Sequence, residues 1–349
     1  MKVALFYGGH DIRVEEVPLP NVGSGQVRVR VRAAGICGSD LHGYRSPGSP
    51  GREPHRSGHE LSGEIAAIGP EVDDLQVGLR VGIEPMHLRG CGRCAACLRG
   101  QYHVCAKRGD REQRLASAGF AEYDVVDSDR VYPLPASVST EEAALVDVYA
   151  VAVHALHRVP LIPPHTVAVI GDGAVGIALG QTARALGAQM VILVGHHRSA
   201  LEVALHAGAA DAIIDSGTTD PVRAAAEITN GEGVPCVYEA VGEGGAAVQT
   251  ACEMAAPGGV VGILGGFLRP VSIATEPVHR KELDLRWVNS YSTWHGIREF
   301  QLALDLMAAG RIRAQPLLTH RIPLSRITHG FALADDKQAS SAIKVLVIP

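Results

Sequence analysis

The 349-residue chain has few aromatic side chains, no long apolar run and no block of charge of one sign. Two tryptophans, eight tyrosines and five phenylalanines stand against forty glycines, which favours aliphatic sheet cores joined by many tight turns. A formal net charge of −5 with mixed signs argues against a broad nucleic-acid-binding face, although it leaves room for a local basic pocket.

Nor does the sequence contain a segment that would direct it to a membrane. The longest uncharged stretch, 254–268, includes a proline and five glycines and is too short to span a bilayer. The beginning of the chain lacks the apolar region and cleavage site of a signal peptide. With 46% hydrophobic and 20% charged residues, the composition is that of a globular protein, and we expect a soluble, cytoplasmic one.

The seven cysteines are not distributed as a disulfide framework would be. Four of them form a Cys-x2-Cys-x2-Cys-x7-Cys cluster, while Cys37, Cys236 and Cys252 stand apart. The clustered residues are Cys91, Cys94, Cys97 and Cys105. Four thiolates on one short loop can close a tetrahedral site, which predicts a structural zinc ion. An iron–sulfur cluster and redox-active cysteines are the alternatives.

The pattern of predicted secondary structure divides the chain into two parts. Short β-type runs dominate the first part, at 2–6, 26–33, 61–68, 80–83, 120–126 and 130–132. A helix is predicted from about 139 to 156, and strands then alternate with helices from 166 to 286, which predicts a doubly wound parallel α/β sheet. A helix at 297–309 and a strand at 343–348 follow. The predicted domains are 1–150 with a zinc lobe at 86–108, a dinucleotide-binding domain at 151–286, and a C-terminal segment 287–349 that returns to the first domain.

A glycine-rich loop joins the first strand of the alternating region to its helix. It reads Gly171-Asp172-Gly173-Ala174-Val175-Gly176 and follows the apolar run 167–170. In a G-x-G-x-x-G loop the glycines allow a tight turn, close approach of a pyrophosphate and close helix–strand packing, and the helix N-terminus offers N–H groups to phosphates. The pattern predicts dinucleotide binding; a glycine-rich turn of an ordinary α/β domain is the alternative.

The end of the next strand bears on the choice of cofactor. NAD-type sites have an Asp or Glu there, which binds the adenosine ribose, whereas this chain has Gly195 followed by His196, His197 and Arg198. Without a carboxylate, and with cationic or titratable side chains nearby, a 2′-phosphate would be accepted. The sequence therefore favours NADP over NAD, unless these residues are simply a polar surface loop.

A second set of candidate ligands is dispersed along the first part of the chain. Cys37, Ser39, Asp40 and His42 lie within six residues, and Gly58-His59-Glu60 follows. Alone, Cys37 would be a small buried side chain and His59 a hydrogen-bonded histidine. Together they indicate an open metal site with one Cys, one His and a further ligand, leaving a position for water or substrate.

These motifs, in this order, resemble those of the zinc-dependent medium-chain alcohol and polyol dehydrogenases, including sorbitol and threonine dehydrogenases. The resemblance extends over essentially the whole chain and includes the G-I-C-G-S-D-x-H run at 35–42, the G-H-E-x2-G-x5-G signature from Gly58 to Gly69, the four-cysteine lobe and the glycine-rich loop. It implies a GroES-like β-rich catalytic domain and a Rossmann cofactor domain. It also implies zinc-assisted hydride transfer between a secondary alcohol and a nicotinamide.

The resemblance also implies metal-site roles for individual residues. Cys37, His59 and Asp147 match the three protein ligands of the catalytic zinc, and Glu60 matches an adjacent carboxylate that can exchange at the metal. The segment after Asp147 departs from the family's usual pattern, which leaves the geometry of this ligand open. His154 is interpreted as a helix histidine and not as a ligand.

Proton transfer is implied in the same way. Ser39 and His42 match the relay that passes the substrate's hydroxyl proton to solvent, and Asp40 matches the carboxylate that orients His59.

The substrate is less well defined. The segment 43–56 is polar, and Arg56 stands where family members often have an aliphatic residue, which favours a polyol, a sugar derivative or a hydroxy-amino acid unless the arginines are simply solvated. Relatives are dimers or tetramers, so a homo-oligomer is expected. The competing interpretations are a reductase of the same fold with structural zinc only, and a non-catalytic nucleotide-binding relative.

Overall fold

The computed structural model describes residues 1–47, 54–85, 90–108, 118–163, 165–242 and 244–349. Parts of the predicted zinc lobe (86–89) and of the polar segment 43–56 (48–53) lie outside the described residues. Contacts divide the chain into two compact units. The first unit comprises Met1–Asp147, Ser292–Ala308 and Leu318–Pro349, and the second comprises Val148–Tyr291 and Ala309–Leu317.

The strands are, in chain order, β1 (Lys2–Gly8), β2 (Asp11–Glu16), β3 (Gln26–Gly35), β4 (Glu60–Ile68), β5 (Arg80–Ile83), β6 (Tyr123–Asp127), β7 (Val131–Pro133), β8 (Thr166–Ile170), β9 (Met190–Gly195), β10 (Ala212–Asp215), β11 (Val234–Glu239), β12 (Ala255–Ile263), β13 (Asp284–Trp287), β14 (Thr293–Trp294), β15 (Ile297–Arg298), β16 (Leu318–Pro323) and β17 (Lys344–Ile348).

The helices are α1 (Gly38–Arg45), α2 (Ala95–Leu98), α3 (Thr140–Ala143), α4 (Val146–Arg158), α5 (Ala174–Ala185), α6 (Arg198–His206), α7 (Pro221–Ile228), α8 (Ala246–Met254), α9 (Thr275–Arg280), α10 (Glu299–Ala308), α11 (Ile327–Asp335) and α12 (Lys337–Ser340). Among the described residues, no helix is both long enough and apolar enough to cross a membrane.

The first unit is built on a seven-stranded sheet. Its strands follow the order β16-β17-β3-β4-β5-β7, and β6 also pairs with β3. Along β3 the valines at 27, 29 and 31 are buried while the intervening arginines at 28 and 30 are not, as the two-residue period of a half-buried strand requires. Phe6, Phe120 and Phe331 pack ring against ring in the core of this unit.

The second unit contains the predicted doubly wound sheet. Six parallel strands follow the order β10-β9-β8-β11-β12-β13, which numbered from β8 is 3-2-1-4-5-6, the Rossmann arrangement. Its interior is aliphatic and includes Ile170, Ile192, Val237 and Ile263. The α/β fold class predicted from the alternating pattern is confirmed.

The structure differs from the sequence-based expectations in several local features. The single helix expected from 139 to 156 is two helices, α3 and α4. Ser139 caps α3 by accepting the N–H of Glu142, while the Glu142 carboxylate accepts the N–H of Ser139. The strand expected at 120–126 begins only at Tyr123. Helix α1 was not predicted, because two of its eight residues are glycines.

The C-terminal part of the chain also divides differently from the expected segment 287–349. Residues 309–317 belong to the second unit. There the Arg313 carbonyl accepts hydrogen bonds from Tyr149 Oη at 2.9 Å and from Gln181 Nε2 at 3.1 Å. Buried hydrogen bonds of this kind leave no periodic pattern in the sequence from which they could be predicted.

Candidate metal centres and dinucleotide loop

Two neighbouring antiparallel strands bring the dispersed metal motifs together. Gly35, at the end of β3, pairs with Glu60, at the start of β4. Cys37 follows β3 as the N-cap of α1, and His59 directly precedes β4. One ligand atom from each of Cys37, His59 and Glu60 lies within 4.8 Å of the others.

Asp40 is held firmly beside this cluster. Its Oδ2 accepts the backbone N–H of Cys37 at 2.9 Å, and its Oδ1 accepts the hydroxyl of Ser57 at 2.7 Å. The same Oδ1 lies 3.8 Å from His59 Nδ1. Ser57 was not identified from the sequence, because a single serine two residues from a histidine carries no recognisable signal.

The electrostatics of the cluster favour a cation. Burial alone lowers the pKa of His59, but the charges of Asp40, Cys37 and Asp147 outweigh it and raise this pKa well above its ordinary value. A thiolate, an imidazole and carboxylates are also the ligands that zinc prefers. The donors present therefore fit a zinc ion.

Glu60 belongs to the closely spaced set of ligand atoms, whereas Asp147 does not. Asp147 lies in the first turn of α4 and is 8% exposed, and its charge raises the pKa of His59.

Of the two residues expected in the proton relay, Ser39 is exposed and His42 is half-buried, and both lie on α1.

Glu60 is also one half of a buried ion pair. Lys344 Nζ lies 2.7 Å and 2.6 Å from the two carboxylate oxygens of Glu60 and donates to the Ile36 carbonyl at 3.1 Å. Burial lowers the pKa of Lys344, but Glu60, Cys37 and Asp40 raise it above its ordinary value. A Cβ on Gly35 would overlap Glu60 Oε2, so this position needs glycine. The signal that could have revealed Lys344 is a lone lysine at the start of an apolar strand.

The sulfur atoms of the four clustered cysteines lie close enough together to hold one metal ion. Cys94 Sγ lies 3.5 Å from Cys97 Sγ and 3.7 Å from Cys105 Sγ, and all four sulfurs lie within 4.8 Å of one another. Tetrahedral coordination with Zn–S bonds of about 2.3 Å places sulfurs about 3.8 Å apart, whereas a disulfide would need about 2.05 Å. Backbone N–H groups of Arg93 and Cys94 lower the pKa of Cys91 to about 6, which favours a thiolate.

A buried carboxylate connects this lobe to the sheet of the first unit. Glu84, fully buried after β5, accepts hydrogen bonds from Tyr102 Oη at 2.6 Å and Tyr132 Oη at 2.7 Å, and pairs with Arg130 Nη1 at 2.5 Å. Tyr102 lies between Cys97 and Cys105, so the network holds the lobe in place. Sequence reasoning missed Glu84, whose partners are 18 to 48 residues away.

The glycine-rich loop lies between β8 and α5, as predicted. Gly171 has φ of +130°, and a Cβ there would lie 3.0 Å from the Ala240 carbonyl oxygen, while a Cβ on Gly176 would overlap the Gly171 carbonyl oxygen. Gly173 is the N-cap of α5, which begins at Ala174 and continues through Val175. The backbone of this loop can therefore approach a pyrophosphate closely.

The expectation that no carboxylate lies at the end of β9 is wrong. Asp172, in the glycine-rich loop, places its carboxylate where a side chain on Gly195 would lie, 2.5 Å from the position of the missing Cβ. Asp172 Oδ2 accepts the N–H groups of His196 at 2.8 Å and His197 at 2.7 Å. Arg198 is paired with Glu202 at 2.8 Å on the exposed face of α6. The sequence could not show this, because the carboxylate comes from a neighbouring strand's loop.

Arg56 faces a carboxylate of the protein itself. Burial outweighs the opposing effects of the N–H groups of Ala118 and Val125 and of the charge of Arg56, so that the pKa of Asp124 is raised to about 6. The half-buried Arg56 thus interacts electrostatically with a buried carboxylate of the first unit. His154 is 2% exposed within α4, which fits a helix histidine.

Comparisons with known proteins agree with this geometry. Residues 23–136 match the family model of the alcohol dehydrogenase GroES-like domain, and residues 174–309 match that of the zinc-binding dehydrogenases. The chain is 32% identical to sorbitol dehydrogenase from Bacillus subtilis, over 100% of this chain and 97% of the relative. It is also 32% identical to L-threonine 3-dehydrogenase from Bacillus licheniformis, over 96% and 94%.

A solved structure shares the whole fold. The zinc-binding dehydrogenase from Sinorhizobium meliloti 1021 bound to NADP is 29% identical and superposes with a TM-score of 0.84, covering 100% of this chain and 99% of the other. The chain therefore belongs to the zinc-dependent medium-chain alcohol and polyol dehydrogenases, enzymes that transfer a hydride between an alcohol and a nicotinamide cofactor.

Proposed function

We propose that this enzyme oxidises a secondary alcohol of a polyol, sugar derivative or hydroxy-amino acid, or reduces the matching ketone, with NADP as the preferred cofactor. The observation that carries the proposal is the convergence of one ligand atom each from Cys37, His59 and Glu60 in the first unit, with the carboxylates of Asp40 and Asp147 acting on His59. In this proposal the first unit performs the metal chemistry and the second binds the dinucleotide.

Cys37, His59 and Asp147 would hold the catalytic zinc, with Glu60 able to exchange at it. When bound, zinc supplies a Lewis acid that lowers the cost of deprotonating an alcohol. Asp40, fixed by Ser57 and the Cys37 N–H, orients the His59 ring. Lys344 holds the Glu60 carboxylate.

Proton transfer is assigned to helix α1. Ser39 would accept the proton of the substrate hydroxyl while its own hydroxyl proton passes through the cofactor ribose to His42, which gives a proton to solvent. Both residues lie on one short helix directly after Cys37.

A second zinc ion would occupy the four-cysteine lobe in a structural role, with no open position. Elemental analysis of metal-replete protein should give two zinc ions per chain. A value near one zinc ion per chain would favour the competing interpretation, a reductase of the same fold that holds only structural zinc. The catalytic site with Asp147 as a ligand would then be wrongly assigned.

NADP preference rests on the side chains after β9. Because the N–H groups of His196 and His197 already bind the Asp172 carboxylate beside Gly195, a 2′-phosphate would be bound by the side chains of His196 and Arg198. Breaking the ion pair between Arg198 and Glu202 costs little free energy, because both side chains are more than half exposed to solvent.

The cofactor test compares two arginines in matched settings. Arg198→Ala should lower kcat/KM for NADP roughly tenfold or more and leave that for NAD nearly unchanged. Arg223→Ala, which removes an equally exposed arginine paired with a glutamate four residues later, should change neither. A clear preference of the wild type for NAD, unaltered by Arg198→Ala, would refute the proposal. Gly195→Asp is not a clean test, because its side chain would collide with Asp172.

The substrate is tested with a panel of polyols, sugars and amino alcohols and both cofactors. Oxidation of polyols or threonine-like compounds, well above that of simple apolar alcohols, is the expected result, in line with the named relatives. Efficient turnover of apolar alcohols alone would reject the polar substrate class.

We further propose a cytoplasmic homodimer or homotetramer. Trp287, on the edge strand β13, is 57% exposed, which supports burial in an oligomer. Light scattering should give at least twice the chain mass, and a monomeric wild type would reject this.

A further inference from the structure

Three potential metal ligands of the second unit meet at the carboxyl ends of β8 and β9. Asp172 follows β8, and His196 and His197 follow β9, the next strand in the sheet. One ligand atom from each of the three lies within 4.8 Å of the others. Within the described residues, this is the one such group in the second unit.

The arrangement of these side chains is fixed by the backbone. Gly195 leaves room for the Asp172 carboxylate, and the N–H groups of His196 and His197 hold its Oδ2. His197 is the N-cap of α6, and its Nδ1 lies 3.1 Å from both carboxylate oxygens. The His196 ring packs on that of His197 with centroids 4.0 Å apart.

These distances suit a divalent transition metal ion. In octahedral coordination with bonds of about 2.1 Å, neighbouring ligand atoms lie about 3.0 Å apart, close to the 3.1 Å between His197 Nδ1 and the Asp172 oxygens. Imidazole with one carboxylate suits Zn²⁺, Ni²⁺ or Co²⁺. His196 is exposed, which gives an ion access.

We propose that Asp172, His196 and His197 form a third metal site, which binds a divalent transition metal ion when the dinucleotide is absent. The site lies at the strand ends where the adenosine ribose of a dinucleotide binds in a Rossmann fold. An ion there and the cofactor therefore exclude one another, which makes the enzyme sensitive to free Zn²⁺. This exclusion rests on the proposed cofactor site, whereas the binding of the ion does not.

The test uses tag-free, full-length, zinc-replete enzyme titrated calorimetrically with Ni²⁺. The wild type should bind one Ni²⁺ per chain with its zinc content unchanged. His196→Ala should weaken this binding about tenfold or more, since loss of even an indirect partner of a metal ligand commonly costs that much. His206→Ala removes an exposed histidine at the other end of α6 and should leave Ni²⁺ binding intact. Absence of Ni²⁺ binding in the wild type, or equal affinities of the two variants, would overturn the site.

A second titration examines the exclusion. Saturating NADP should raise the apparent Kd of Ni²⁺, and added Ni²⁺ should raise that of NADP, because the two are linked. Unchanged Ni²⁺ affinity in NADP-saturated enzyme would overturn the exclusion. Direct NADP binding to the metal-free site, measured by cofactor fluorescence, reports on the proposed cofactor function separately.

Discussion

Replacing Lys344 with methionine removes the cation from a fully buried ion pair. Lys344 and Glu60 are 4% and 1% exposed, and the lysine contacts both carboxylate oxygens. Methionine nearly preserves the volume but leaves the Glu60 carboxylate in the interior without its partner. The Ile36 carbonyl loses its hydrogen-bond donor as well.

The cost follows from the burial. Breaking a buried pair by removing one partner destabilises a protein by about 3–5 kcal/mol, because the remaining charge is desolvated without compensation. Replacing both partners with apolar residues of similar volume is often nearly neutral. Lys344→Met should therefore lose about 3–5 kcal/mol, and the double variant Lys344→Met/Glu60→Leu should recover most of it.

Trp294 makes the measurement specific to the first unit. In a Trp287→Phe background, Trp294 is the remaining tryptophan, and it belongs to the same unit as Lys344 and Glu60. Urea unfolding followed by its fluorescence gives the free energy of unfolding for each member of the cycle. A loss below about 1 kcal/mol for Lys344→Met, or a double variant whose loss equals the sum of the two single losses, would refute the reasoning.

Four further predictions follow from other contacts. Asp147→Ala should abolish turnover while the zinc of the four-cysteine lobe remains; near-normal turnover would show that Asp147 is not a ligand. Ser39→Ala and His42→Ala should slow turnover within a range of about 10²–10⁴-fold without zinc loss, with the smaller effect at His42, which water can bypass, and the reverse ranking would contradict the relay. Glu84→Gln should speed zinc release from the lobe to a chelator, because the network on Tyr102, Tyr132 and Arg130 weakens; an unchanged rate would show that the lobe does not depend on it. Because burial raises the folded-state pKa of Asp124 to about 6, its contribution to stability is most favourable below pH 4 and is lost as pH rises through 6. The unfolding free energy of wild type relative to Asp124→Asn should therefore fall by roughly 2 kcal/mol between pH 4 and 7, and a flat difference would contradict this.

The chemistry of the enzyme was largely predictable because its motifs are local. The cysteine cluster and the glycine-rich loop each lie within fifteen residues, and the alternating strands and helices around that loop fixed the fold class. Spacing alone determines whether such a loop can close around an ion or approach a phosphate. Helix α1 was missed, because two glycines and a metal motif obscure its short pattern.

The contacts that tune these sites depend on strand order and register instead. Glu60 meets Lys344, 284 residues later, because β17 and β4 both pair with β3. Asp172 reaches the end of β9 because β8 lies beside it in the sheet. The sequence determined which chemical groups the chain carries and which short loops present them. Only the tertiary structure decided which buried charges meet, because hydrogen bonds and ion pairs act over a few ångströms in space and leave no periodic trace along the chain.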